Sequence, residues 1–171
     1  MMTLSDVRKF APENKTGKGG YSKQKNAASW ELVNLERTDR ATRIEHFIAS
    51  EIEERSGYDC SVTRSNAPWD ITVNLEDRPV RIEVKSAIQI KGQECQYSIK
   101  NVKPDLFDYL FIVLVTPEGI RVAWANTHDI RLMCRYKNEH CNGYAISLNT
   151  RRWDLLEYDW LYDIEDFPYG S

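Results

Sequence analysis

Residues Pro68 to Ala87 read PWDITVNLEDRPVRIEVKSA, and the way this stretch pairs with itself decides the fold. Asp70 heads a short β-prone run, Glu76-Asp77 supply a turn, and Pro79 restarts a second run carrying Glu83 and Lys85 as E-V-K. Side chains alternate along a strand, so Arg81, Glu83 and Lys85 share one face while Val80, Ile82 and Val84 share the other. A hairpin closed on Glu76-Asp77 pairs Asn74 with Pro79, Val73 with Val80, Ile71 with Ile82 and Asp70 with Glu83. That register stacks apolar on apolar. It also sets the carboxylates of Asp70 and Glu83 opposite each other, with β-carbons roughly 4.5–5.5 Å apart. Two carboxylates so close repel unless a proton or a cation sits between them. A hard cation such as Mg²⁺ suits the place, because it takes oxygen ligands and binds through one or two carboxylates. A turn one residue longer or shorter turns one strand over and destroys the arrangement.

Upstream, Ile44, Phe47, Ile48 and Ile52 recur at intervals of three and four, which predicts an amphipathic helix. Thr38 or Asp39 can cap its start, and Gly57 stands where a helix end favours a left-handed residue. Glu45 falls one turn before Ile48 and Ala49, at the edge of the apolar stripe. From there it can face the Asp70–Glu83 site, or it can solvate the outer side as Glu51, Glu53 and Glu54 do.

With Asp70, Glu83 and Lys85 in place, twelve residues separating the aspartate from the glutamate, the chain resembles the PD-(D/E)XK nuclease superfamily. The helical stretch RIEHFIASEIEERSGY precedes them, with Glu45 where many members carry an extra acidic residue. The likeness covers roughly Thr38 to Ala125. One departure is plain: the proline stands two residues before the aspartate, as Pro68-Trp69-Asp70. A true Pro-Asp pair, Pro104-Asp105, follows the E-V-K and cannot fill that role. The resemblance implies a restriction-endonuclease-like α/β/α core, a mixed central sheet flanked by helices. It implies catalytic roles for Asp70, Glu83, Lys85 and Glu45, and a Mg²⁺ ion, replaceable by Mn²⁺, on Asp70, Glu83 and the Val84 carbonyl. The activity implied is hydrolysis of DNA phosphodiester bonds by an endonuclease of restriction, homing or resolvase type. Lys85 would orient or deprotonate the attacking water. A cut through both strands by an enzyme this small implies a homodimer or higher symmetry. The rival reading is a non-catalytic nucleic-acid-binding or assembly module that keeps the nuclease fold.

The chain has 171 residues, 42% hydrophobic and 29% charged, which suits one ordinary globular domain. No apolar run approaches the roughly 18 residues of a membrane helix. MMTLSDVRKF holds no secretory signal, so the expected residence is cytoplasmic and Cys60, Cys95, Cys134 and Cys141 are expected as thiols. His128, Cys134, His140 and Cys141 lie close in sequence but lack the paired spacing of a zinc site.

Net charge is −3, yet Asn14 to Trp30 carries Lys15, Lys18, Lys23 and Lys25 with no acid. Residues 1–37 thus read as a basic arm suited to run along DNA phosphates, or simply as a solvated terminus. Residues 38–171 form the expected single nuclease-like domain. Its strands are expected at Tyr58–Thr63, Asp70–Asn74, Val80–Ala87 and Asp108–Thr116, then Ile120–Ala125 and Tyr144–Leu148. Gln96–Ile99 reads as a short edge strand, and Asn126 or Thr127 can cap a helix through Lys137. The acidic, aromatic stretch Asp154–Asp166 is expected to pack Leu155, Leu156, Trp160, Leu161 and Ile164 on the core, facing away from DNA or toward a partner. Ser86 and Gln89, just past the lysine, either contact the phosphate or merely end the strand.

Overall fold

The structure is a computed structural model and describes residues 35–64, 66–88, 96–116, 119–133, 143–149 and 161–167. Helix α1 spans Arg37–Ser56. Ile44, Phe47, Ile48 and Ile52 form its buried stripe, each at 1% exposure or less, and each contributes roughly 1.5–3 kcal/mol by leaving water. Gly57 ends the helix at φ 74°, its N–H donating to the Glu53 carbonyl. The start differs from the expectation. Thr38 and Asp39 lie inside the helix, Glu36 occupies the cap position without a side-chain bond, and Arg40 N–H donates to the Glu36 carbonyl. Burial of Leu35 pins the chain just ahead of the first turn, so the helix begins earlier than its polar residues suggest.

The strands are β1 (Cys60–Val62), β2 (Ile71–Asn74), β3 (Pro79–Ile88), β4 (Gln96–Val102), β5 (Tyr109–Thr116), β6 (Gly119–Asn126), β7 (Tyr144–Asn149) and β8 (Tyr162–Asp163). Helix α2 (Thr127–Met133) lies between β6 and β7. The central sheet has the order β1-β2-β3-β5-β6-β8 and is mixed. β3 runs parallel to β5, and the other neighbours are antiparallel. The hairpin has the register that its apolar pairs demand: Asn74 with Pro79, Val73 with Val80 and Ile71 with Ile82.

The sheet buries both faces. Under α1 lie Ile71, Val73, Val80, Ile82, Val84, Phe111, Val113 and Val115. On the opposite face Leu110, Ile112, Leu114, Ala123 and Ala125 pack against β4, β7 and Ile130 of α2. The fold is therefore α/β, a mixed sheet with a helix on each face. β5 is apolar from Leu110 to Val115 and buried on both sides there.

A further expectation needs correction. The segment read as a short edge strand is longer, Gln96–Val102, and pairs with β7 in a separate two-stranded ribbon instead of edging the central sheet. Tyr97, Ile99 and Val102 drive this, because they turn inward onto the second face. Gly143 lets the ribbon close, since a β-carbon there would stand 2.7 Å from the Val102 carbonyl oxygen. At the C-terminal end the described part is β8 and a 3₁₀ turn, Ile164–Asp166, with Leu161 and Ile164 buried as expected. Phe167 joins them edge-on to Tyr109, Phe111 and Trp124. Leu155, Leu156 and Trp160 lie outside the described residues, as do residues 134–137, through which α2 was expected to continue. Asn126 does cap α2, its Oδ1 accepting from Asp129 N–H at 2.8 Å. Among the described residues no helix is long and apolar enough to cross a membrane.

Candidate active site

β2 stops at Ile71 while β3 runs on to Ile88, and that mismatch creates the site. At Asp70 the backbone N–H donates to the Ile82 carbonyl at 2.9 Å, whereas its carbonyl accepts from Thr63 N–H at 2.7 Å. In a regular antiparallel ladder both groups of one residue face the same neighbour. Asp70 is thus turned out of the strand. Its carboxylate takes the place of the missing ladder residue, Oδ2 accepting the Val84 N–H at 2.8 Å. Without it that donor would lose its partner where β2 ends. Val84 packs its side chain under α1, and its carbonyl points to the same strand edge as its N–H.

Glu83 and Lys85 project from β3 on the other face, as alternation requires. Lys85 Nζ pairs with Glu83 Oε1, the two side chains 27% and 12% exposed. Glu83 and Asp70 stand close enough for each carboxyl to shift the titration of the other. Burial raises both pKa values above the ordinary carboxylate range. At Asp70 the Val84 N–H, Lys85 and Glu83 pull the other way without winning. At Glu83 the Lys85 ammonium lowers the value, and the Asp70 charge adds to the rise. Glu45, on α1, is pushed up to about 7 by burial first and then by the charges of Asp70 and Glu83, with Lys85 opposing. A residue of the helix on one face therefore feels a site on the other, past the end of β2. Three carboxyl groups and one ammonium share this corner. A proton or a cation relieves the excess of negative charge.

The acids and the backbone carbonyl are hard oxygen donors, which fit Mg²⁺ better than a soft metal. Among the described residues no three of His, Cys, Asp and Glu gather as a metal-holding group, so Glu45 is within electrostatic reach of the Asp70–Glu83 pair and is not a third ligand. An ion here would rest on Asp70, Glu83 and the Val84 carbonyl, completed by water or substrate. Lys15, Lys18, Lys23 and Lys25 lie outside the described residues, as do Gln89, Cys95, Cys134, His140 and Cys141. His128 is exposed. Cys60 is a free thiol, pushed up to about 12 by burial and by Glu53 and Asp59.

Five residues form a connected set behind Asp70 that is not evident in the sequence as part of the site. Thr63 Oγ1 donates to the Trp69 carbonyl and faces the Asp70 carbonyl at 3.1 Å. The Trp69 indole N–H donates to Thr72 Oγ1 at 2.9 Å, and the Arg81 guanidinium stands 5.6 Å from the ring centre. Arg81 in turn makes two side-chain bonds to Asp108, Nε to Oδ2 at 3.2 Å and Nη2 to Oδ1 at 3.1 Å. The only signal for them was Trp69 beside Asp70. The Arg81–Asp108 pair spans the β3–β5 crossover, which no local pattern reveals.

No protein-family model matches this sequence, and no curated protein matches it. Among solved structures, the chain is similar to one described as "The structure of a bacterial homing endonuclease: I-Ssp6803I". The two are 15% identical, the likeness covers 61% of this chain and 70% of that one, and the TM-score is 0.40.

Proposed function

We propose that the protein is a Mg²⁺-dependent endonuclease of the PD-(D/E)XK type that hydrolyses phosphodiester bonds in DNA. The observation that supports it most is the apposition of the Asp70 and Glu83 carboxyls, with Lys85 paired to Glu83 and Glu45 in electrostatic reach. A purely structural corner has no use for three half-buried acids around one lysine, because desolvating them destabilises the fold. Asp70 and Glu83 would hold the ion with the Val84 carbonyl. Bound there, Mg²⁺ supplies polarisation of a phosphate oxygen and a more acidic water. Lys85 positions the attacking water and offsets the negative charge that grows on the phosphate. Glu45, with a carboxyl that titrates near neutrality, holds a water or a proton at the rim of the site. The Lys15–Lys25 arm would track the DNA backbone, and two subunits would serve the two strands.

The test is incubation with supercoiled plasmid, branched DNA and single-stranded DNA, in Mg²⁺ or in EDTA. Wild type should cut in Mg²⁺ alone. Asp70→Ala, Glu83→Ala and Lys85→Ala should each fall below about one-hundredth to one-thousandth of that rate with unchanged circular dichroism. Full activity in all three variants would sink the reading. Binding without cleavage by wild type would instead favour the non-catalytic module.

A further inference from the structure

Asp70 carries the largest demand for accurate placement, yet it sits outside the regular ladder. A strand residue is fixed by its neighbours on both sides, whereas Asp70 has its N–H on β3 and its carbonyl on Thr63, next to β1. Something else must fix the direction of its carboxylate. The adjacent residue is held at three points. Thr63 grips the Trp69 carbonyl, Thr72 accepts the indole N–H, and the Arg81 guanidinium faces the ring. Arg81 does not swing freely, because Asp108 binds both its guanidinium and its backbone N–H. With both Asp108 oxygens engaged on it, Arg81 serves as a brace for the ring.

We infer that Trp69 is a positioning residue: braced by Thr63, Thr72 and the Arg81–Asp108 pair, it aims the Asp70 carboxylate at Val84 N–H and Glu83. Its significance for cleavage rests on the nuclease reading above. The competing explanation is that the ring merely fills space against the apolar cluster of the second face, which Leu106 and Tyr144 also join. The two differ in what happens at Val84. A brace, once removed, loosens the Asp70–Val84 hydrogen bond locally. A space-filler, once removed, lowers global stability and leaves that bond no weaker than its surroundings.

Amide hydrogen exchange by NMR reads this directly, with Val113 of the central strand as internal reference. Trp69→Ala should speed Val84 exchange about tenfold relative to Val113, and Trp69→Phe, which keeps a ring under Arg81, should recover most of it. Thr72→Val, a near-isosteric change, should move Val84 in the same direction and guards against failure of the alanine variant to fold. Mn²⁺ binding followed by electron paramagnetic resonance should weaken by about ten- to a hundredfold in Trp69→Ala, the range for loss of an outer-shell support. Val84 exchange unmoved relative to Val113 in Trp69→Ala and Thr72→Val overturns the brace, even where wild type cuts DNA. Val84 loosened in a protein whose wild type neither binds Mn²⁺ nor cuts DNA upholds the brace and overturns the nuclease reading.

Discussion

Asp108 and Asp70 do the same backbone work at opposite edges of β3 and end in opposite electrostatic states. β3 exchanges partners at Ile82: before it the ladder is with β2, after it with β5. Each ladder stops short, and each time an aspartate supplies the missing acceptor. Asp108 Oδ2 takes the Arg81 N–H at 2.9 Å on the β5 side, and Asp70 Oδ2 takes the Val84 N–H at 2.8 Å on the β2 side. Asp108 also receives the Arg81 guanidinium, whose hydrogen bonds and charge outweigh burial and hold its carboxyl below the usual range. Asp70 receives Glu83 instead, and burial holds its carboxyl above it. Ending a ladder thus needs only an acceptor. At Asp108 the Arg81 guanidinium overcomes burial, and at Asp70 nothing does, so that acceptor gains most from a proton or a cation.

The sharpest way to break this pairing is to make the same change on both sides. Asp70→Asn should cut Mg²⁺-dependent cleavage by about a hundredfold or more while the melting temperature holds or rises. Asp108→Asn should do less to cleavage, about tenfold at most through the loosened Arg81 brace, and should lose on the order of 1–3 kcal/mol of stability by chemical denaturation, as a charged hydrogen-bond network is weakened. Equal effects of the two on cleavage would erase the distinction.

The pH dependence of stability separates the two corners next. Glu45 has a folded pKa of about 7 against an ordinary glutamate value of 4.5. The folded state therefore holds this proton longer than the unfolded chain, so the group favours folding fully below pH 4.5 and progressively less as pH climbs to 7. Melting temperature in EDTA should fall across that interval, and Glu45→Gln should flatten the fall. Asp108 has the opposite sign. Its lowered pKa gives stability that is present above the ordinary aspartate range and disappears as pH drops through the folded value. Asp108→Asn should remove that acid limb. A smaller effect lies at Cys60, whose thiol at about 12 should make it alkylate more slowly at pH 8 than a free cysteine peptide. Matching rates would mean that the local burial opens readily.

The parts legible in the sequence were those written in local periodicity. Ile71, Val73, Val80 and Ile82 fix one register, because any slip would turn apolar side chains to water. The stripe of Ile44, Phe47, Ile48 and Ile52 fixes α1, and Gly57 its end. Asp70, Glu83, Lys85 and Glu45 are brought to one corner by those same elements. What was hidden depends on pairs far apart in the chain. β4 finds β7 across more than forty residues, and the parallel register of β3 on β5 sets Arg81 against Asp108. Strand alternation says only which face Arg81 occupies, not who meets it there. Helix capping also misled, since Thr38 and Asp39 are good caps by type while the burial of Leu35 moved the boundary.

The parallel contact between β3 and β5 has a consequence for the chain as it leaves the ribosome. Every acid and the lysine of the candidate site emerge by Lys85, but the strand that flanks them on one side begins only at Tyr109. Through that interval the nascent β3 presents the β5-facing edge of Ile82–Ile88 to whatever strand reaches it first. The β4 segment is synthesised inside this window and finds its own partner, β7, only later. Non-local parallel pairing is slow to form, and unpaired edges in slow folders are where nascent chains misassociate. The charges at Arg81, Glu83 and Lys85 fall on alternate positions of the waiting strand, where they oppose intermolecular stacking. The residues that would perform chemistry in the finished protein thus also guard its unfinished edge.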